Sequence, residues 1–180
     1  MKITNLEENR GHLANQFKGI GAEIGVEEGA YSEVICKNIN VKKLYSIDAW
    51  KTYREYRDHT SRSKLDRFYR IAKIRMEPYN CDLIRKFSKD AVGDFMDESL
   101  DFVYIDANHS YKHVYEDMTL WSKKVKKGGI VAGHDYIKRK GQEKFYGVVT
   151  AVNDFATNNK IEKVFIYRGD SPASWAYIKK

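Results

Sequence analysis

Residues 101–111 read Asp-Phe-Val-Tyr-Ile-Asp-Ala-Asn-His-Ser-Tyr, and residues 128–136 read Gly-Gly-Ile-Val-Ala-Gly-His-Asp-Tyr. Each is a short apolar run that breaks off into polar, chemically capable side chains, with the helix-length amphipathic segment Val114–Lys126 between them. Such runs are the pattern of buried strands, and a helix between two of them implies a crossover that lays them parallel. The same alternation continues outward. Strand-like runs stand at 19–26, 43–48, 81–87, 101–106 and 128–135. Helix-like segments stand at Tyr31–Ile39, within Lys64–Met76, at Lys89–Met96 and at Phe145–Asn158, the last with Val148, Val149, Val152 and Phe155 at helical spacing. Right-handed crossovers of this kind build a sheet covered on both faces. Two further runs, 163–168 and 174–179, are too close together for a helix between them and predict an antiparallel hairpin. The expected fold class is α/β: a doubly wound, mostly parallel seven-stranded sheet with an antiparallel C-terminal hairpin.

The chain has 180 residues, 42% hydrophobic and 13% aromatic, which suits one domain spanning 1–180. No glycine- or serine-rich linker and no repeat divides it. The net charge of +7 and mean hydropathy of −0.64 suit a soluble, basic protein, while its aliphatic and aromatic content excludes disorder. No run reaches the roughly 18–20 apolar residues of a membrane span, and the start lacks the apolar core of a secretory signal, so a cytoplasmic location is expected. Cys36 and Cys81 have no metal-binding spacing and read as buried, reduced thiols outside any mechanism. Residues 51–90 hold almost the whole positive excess, with Tyr53, Tyr56, Phe68, Tyr69 and Tyr79 interleaved among arginines. That face reads as a solvated helix surface, as a cap over a substrate, or as a nucleic-acid surface on which bases stack.

At the end of the first strand-like run, residues 21–32 read Gly-Ala-Glu-Ile-Gly-Val-Glu-Glu-Gly-Ala-Tyr-Ser. Gly25 permits a sharp turn and Gly29 a close approach of a ligand to a helix start. The glycine spacing differs from the dinucleotide fingerprint, and Glu23, Glu27 and Glu28 would repel a pyrophosphate, so a cationic or zwitterionic ligand fits better. Asp48 closes the second run, where a carboxylate is placed to accept hydrogen bonds from both hydroxyls of a ribose. In an open parallel sheet the ligand crevice lies beyond the carboxyl ends of the strands. Asp106, His109, His134 and Asp135 should therefore converge beside a nucleoside bound over the first two runs.

With these pieces in order, from about Gly19 to the C-terminus, the chain resembles the class I S-adenosylmethionine-dependent methyltransferases, whose fold is Rossmann-like. It is most similar to the small O-methyltransferases of the macrolide-sugar (macrocin) and catechol or caffeoyl type. The resemblance implies S-adenosylmethionine as cofactor. Glu23, Gly25 and Gly29 would frame its methionine end, Ser32 its carboxylate, Asp48 its ribose and Ser88 its adenine edge, with Asp106 at the methyl-transfer crevice. Metal-dependent relatives place a divalent ion such as Mg²⁺ there, and the corresponding positions here are Asp106, His134 and Asp135. Histidine is an unusual member of that set, so a metal-assisted and a histidine-only mechanism both stand. In either, a substrate oxygen displaces the methyl group in line, and a hydroxyl with a pKa of roughly 15 needs help losing its proton. His109 is the favoured base, with His134 as the other candidate.

The segment 51–79 and the loop 136–147 are the natural lids over the crevice. The expected acceptor is a small hydroxylated molecule, such as a sugar or a polyhydroxylated metabolite. The competing reading is a nucleic-acid-binding or RNA-modifying methyltransferase that uses the basic 51–90 face. It ranks lower, because no NPPY-like or DPPY-like tetrad follows residue 105. The sequence leaves the oligomeric state open, a homodimer among the options, and points to no membrane partner.

Overall fold

A computed structural model describes residues 1–53, 61–138, 140–141 and 146–180. Among these residues the chain forms one eight-stranded sheet in the order β1-β7-β8-β6-β5-β2-β3-β4. The strands are β1 Lys2–Leu6, β2 Gly19–Ile24, β3 Val41–Ile47, β4 Cys81–Ile84, β5 Leu100–Ile105, β6 Val125–Gly133, β7 Lys163–Tyr167 and β8 Ser174–Ile178. The helices are α1 Arg10–Ala14, α2 Ala30–Cys36, α3 Arg62–Met76, α4 Ser88–Ala91, α5 Tyr111–Trp121 and α6 Val148–Asn158. β8 runs antiparallel to both β6 and β7, and every other pairing is parallel.

The expected seven strands and the C-terminal hairpin are present, and β1 is an eighth that the sequence reading did not contain. It lies at the sheet edge, beside β7 alone, with most of its residues exposed. A strand wetted in this way carries no clean apolar alternation, which is why its sequence gives little sign of it. Two boundaries also differ. The helix expected over Lys89–Met96 is one α-helical turn followed by a 3₁₀ turn at Val92–Asp94, as the low helix propensity of Gly93 favours. The helix expected over Val114–Lys126 ends at Trp121, because Val125 already pairs with Leu100 of β5. The start expected for the last helix, Phe145, lies outside the described residues.

Two apolar layers sandwich the sheet. On one face Leu13, Phe17, Tyr31 and Ile35 of the α1–α2 region pack on Leu44, Phe102 and Tyr104. On the other, Val114, Met118 and Trp121 of α5 and Val148, Val152 and Phe155 of α6 pack on Val103, Ile105, Val131 and Trp175. A smaller cluster seats α3 on the ends of the neighbouring strands, through Leu65, Phe68 and Ala72 against Val26 and Trp50.

The first layer has almost no slack. The Phe17 and Phe102 rings stack with centroids 4.4 Å apart and planes 1° from parallel, and a Cβ on Gly21 would fall 2.2 Å from the Phe102 ring. Since Phe102 is pinned from its other side, Gly21→Ala should destabilise the fold by about 1–3 kcal/mol. A urea melt should show a lower midpoint at an unchanged slope.

Candidate active site

The carboxyl ends of β2, β3, β5 and β6, with the first turns of the following helices, enclose a cleft of about 740 Å³. Its floor is the close approach of β2 to β5. Gly25 adopts φ 89°, and a Cβ there would lie 2.1 Å from the Asp106 carbonyl oxygen. The Gly25 N–H donates to Ile47 O at 2.9 Å and the Asp106 N–H donates to Ile24 O at 2.7 Å, which ties three strand ends together at this point. Only glycine fits both the backbone conformation and the space.

Asp48 closes one side of the cleft and also fastens the turn beneath it. Its Oδ2 accepts from the N–H groups of Val26 (3.0 Å) and Glu27 (3.1 Å), and its Oδ1 accepts from that of Trp50 (2.8 Å). A carboxylate has about four acceptor sites, so roughly one, on Oδ1, is left for a ligand rather than the pair expected for two ribose hydroxyls. Glu23 lies on the floor. Burial pushes its carboxyl well above the ordinary range, partly offset by a hydrogen bond from the Ser32 hydroxyl. Ser32 is fully buried under this carboxyl and does not line the cleft. Gly29 does not line it either; it takes φ 75° at the start of α2 and packs against Ala72 of α3.

On the far side Ser88 lines the cleft with its hydroxyl already committed. It donates to Asp117 of α5 and accepts from the Trp121 indole N–H at 2.7 Å. Asp117 occupies the apolar stripe of α5 between Val114, Met118 and Trp121. Burial raises its pKa to about 7, and the Ser88 bond acts in the opposite direction.

The predicted polar group converges at the mouth. His109 Nε2 lies 3.0 Å from Asp135 Oδ2 and 3.5 Å from Asp106 Oδ1. His134 Nδ1 lies 3.3 Å from Asp135 Oδ2 and 3.8 Å from Asp106 Oδ2. Burial disfavours charge on His109, but Asp106 and Asp135 outweigh it and raise its pKa to about 10. Burial works against the Asp135 carboxylate too, and its two histidine neighbours overcome this and hold it below the usual carboxylate range. The backbone is strained here: Asp135 has φ 55° and Glu27, which also lines the cleft, has φ 53°, while the buried Trp50 has φ 41°. Residues held in such conformations cluster at functional sites. One donor atom each from Asp106, His134 and Asp135 lies within 4.8 Å of the others, a spacing that suits a single divalent ion.

Arg10 lines the cleft without belonging to any sequence motif, and Asn108 lines it from within the 101–111 stretch. Arg10 reaches the cleft from α1, and Asn108 donates to the Tyr53 hydroxyl at 2.9 Å across its rim. Asp117 did carry a signal, an acid inside an otherwise apolar helical stripe. Residues 54–60, 139 and 142–145, which hold parts of both expected lids, lie outside the described residues; Tyr146 stacks on His109 with centroids 5.8 Å apart. Much of the basic excess is engaged within the protein. Arg67 faces Glu28 and Arg75 faces Glu33, each at 3.8 Å, and Arg85 pairs with Asp66 at 2.5 Å. The two cysteines are half-buried rather than buried, since they sit at the end of α2 and the start of β4, near the sheet rim.

The same architecture occurs in solved structures. An O-methyltransferase from Bacillus cereus in complex with SAH superposes with a TM-score of 0.66 at 14% identity, covering 94% of this chain and 80% of that one. A Staphylococcus aureus protein assigned as a caffeoyl-CoA O-methyltransferase gives 0.67 at 15% identity, covering 95% and 81%. Spermidine synthase from Thermotoga maritima gives 0.65 at 11% identity, covering 96% and 58%. At these identities the likeness is one of fold. An uncharacterized protein of Acanthamoeba polyphaga mimivirus is 26% identical over 132 residues, 69% of this chain and 56% of that protein, so the chain spans little more than half the length of this curated relative.

Sheet order, cleft and sequence together define the class: an S-adenosylmethionine-dependent methyltransferase with a Rossmann-like fold. A methyltransferase-domain family model matches residues 22–136, most of the chain, and the chain belongs to that family. Among the described residues no helix is long and apolar enough to cross a membrane.

The buried acid beside Ser88 makes a thermodynamic prediction. Its folded pKa of about 7 exceeds the ordinary 3.8, so its contribution to stability is complete below pH 4 and is lost as pH rises through 7. Asp117→Asn should remove that loss. The stability difference between variant and wild type should grow by up to about 1.4 kcal/mol per pH unit across this window. A parallel pair of pH-dependent melts would contradict the assignment.

Proposed function

We propose that this methyltransferase transfers the methyl group to a hydroxyl oxygen of a small acceptor, such as a sugar or polyhydroxylated metabolite. The observation that carries the reading is the cluster of Asp106, His109, His134 and Asp135 at the cleft mouth, a proton-handling group where a hydroxyl nucleophile needs one. The cleft supports the size of the acceptor, since about 740 Å³ must serve both cofactor and substrate.

The residues fit the cofactor. The bare Gly25 turn lets a ligand lie against the backbone. Asp48 Oδ1 keeps an acceptor site for a ribose hydroxyl. Glu23 underlies the amino-acid end, and Ser88, through its remaining lone pair, borders the adenine edge. When bound, S-adenosylmethionine supplies an electrophilic methyl on a positive sulfur. The protein's task is to hold an acceptor oxygen in line with it and to take the proton.

His109 does the latter. In the ligand-free arrangement it is protonated and shared between Asp106 and Asp135. It would release that proton to solvent when positive charge is brought beside Asp106, because the same carboxylates then serve two cations. Neutral His109 would next accept the hydroxyl proton, with Asp135 stabilising the imidazolium that forms. Asp106, His134 and Asp135 would hold a divalent ion, which supplies Lewis acidity to an acceptor oxygen when bound. The nucleic-acid reading gains little, because Arg67, Arg75 and Arg85 of that face are each paired with a neighbouring carboxylate.

Methyl transfer from labelled S-adenosylmethionine to a panel of sugars and polyhydroxylated metabolites, with Mg²⁺, Mn²⁺ or EDTA, tests the proposal. His109→Ala should lower turnover by about a hundredfold or more, with affinity for S-adenosylhomocysteine almost unchanged. Full turnover in that variant, or transfer only to amine or nucleic-acid acceptors, would refute it.

A further inference from the structure

Arg10 is the first residue of α1 and lines the cleft from the side of α1 and α2. Its backbone is fixed at both polar groups: the N–H donates to Asp170 Oδ2 at 2.7 Å, and the carbonyl accepts from the Tyr31 hydroxyl at 2.9 Å. The guanidinium carbon stands 4.9 Å from the centroid of the Tyr31 ring, and the buried Tyr104 hydroxyl, bonded to Ser174 at 3.2 Å, acts on its charge. Among the described residues it forms no ion pair within 4.0 Å, although the charge of Asp106 acts on it. This is an aimed, half-buried cation with most of its five donors uncommitted.

The surroundings indicate what those donors take. Glu23, Tyr104 and Asp106 share this face of the sheet with Arg10, directly behind the Gly25 turn. Arg10 and Asp106 interact without pairing, so the gap between them has a cation on one side and a carboxylate on the other. An α-amino acid zwitterion fills such a gap with its carboxylate toward the arginine and its ammonium toward the acid. The cofactor carries one such group, and its α-carboxylate is its sole anion. The protons to be moved during reaction lie on the other side of Asp106, at His109 and Asp135, where the acceptor enters.

We propose that Arg10 is the binding residue for the α-carboxylate of the cofactor's amino-acid end, gripping it through the planar guanidinium fork while the Tyr31 ring supports the fork. The proposal rests on the assignment of S-adenosylmethionine to this cleft. It also gives the β1–α1 segment, which precedes the family-matched residues, a direct part in cofactor recognition.

The test compares two ligands on three proteins. S-adenosylhomocysteine and 5′-methylthioadenosine share the nucleoside and the sulfur, and the second lacks the amino acid. By calorimetry, Arg10→Gln should weaken S-adenosylhomocysteine by about tenfold or more while 5′-methylthioadenosine stays within about twofold of wild type. Arg10→Lys, which keeps the charge and loses the fork, should fall between; it supplies the same comparison if the glutamine variant does not fold. Equal weakening of both ligands would reduce Arg10 to a structural role and overturn the proposal. Unchanged S-adenosylhomocysteine affinity, with only the acceptor KM raised, would overturn it as well by placing Arg10 at the acceptor. Wild-type protein that binds neither ligand would remove the cofactor assignment, and the proposal with it. Wild-type binding of 5′-methylthioadenosine with unaltered selectivity in the variants would remove the proposal alone.

Discussion

The contact between the Gly25 backbone and the Asp106 carbonyl is the constraint on which the site depends. Neighbouring parallel strands must bring their ends close before a crevice can open beyond them, and here the approach excludes even a methyl group. Because β2 turns away at this point, the N–H groups of Val26 and Glu27 point toward Asp48 and are satisfied by it. Because β5 ends at the same level, Asp106 emerges at the rim, and His109 follows within the turn that leads into α5. A tight turn, a carboxylate that caps it and an acid at the neighbouring strand end are thus one piece of backbone geometry.

The second organising feature is electrostatic. Two carboxylates and two imidazoles are packed into a partly buried mouth, and none of them is separable from the others. Asp106 and Asp135 hold a proton on His109, while His109 and His134 keep Asp135 ionised. Such a group of charges is costly to assemble in a partly buried mouth unless its members pair, as His109 and His134 do with Asp135, and the left-handed backbone at Asp135 adds strain. In the proposed reaction a cation bound at the rim would compete with His109 for Asp106 and Asp135, so that binding and proton handling would be coupled there.

Much of this architecture was legible in the sequence. The strands from β2 to β8 announced themselves because they read as apolar runs, the central β2 and β5 being buried along most of their length, and the polar residues that end those runs, Asp48, Asp106, His134 and Asp135, marked the rim. Illegible parts had physical reasons. β1 is wetted at an edge and carries little pattern. Arg10 stands in a short helix with no periodicity of its own, and only tertiary folding brings it to the cleft. The resemblance implied that Ser32 contacts the cofactor carboxylate, yet helix α2 turns it inward to Glu23. Ser88 lies at the cleft as its position suggested, but Asp117 and Trp121 take up its donor and one of its acceptor sites. Side-chain direction and prior commitment of hydrogen bonds are properties of packing, and motif spacing does not encode them.

Titration of wild-type protein and Gly25→Ala with S-adenosylhomocysteine tests most directly the claim that the β2–β5 junction builds the cofactor cleft. The account predicts one equivalent bound by the wild type and no measurable binding by the variant at temperatures where circular dichroism shows it folded. Wild-type affinity in Gly25→Ala, or no binding by either protein, would contradict it.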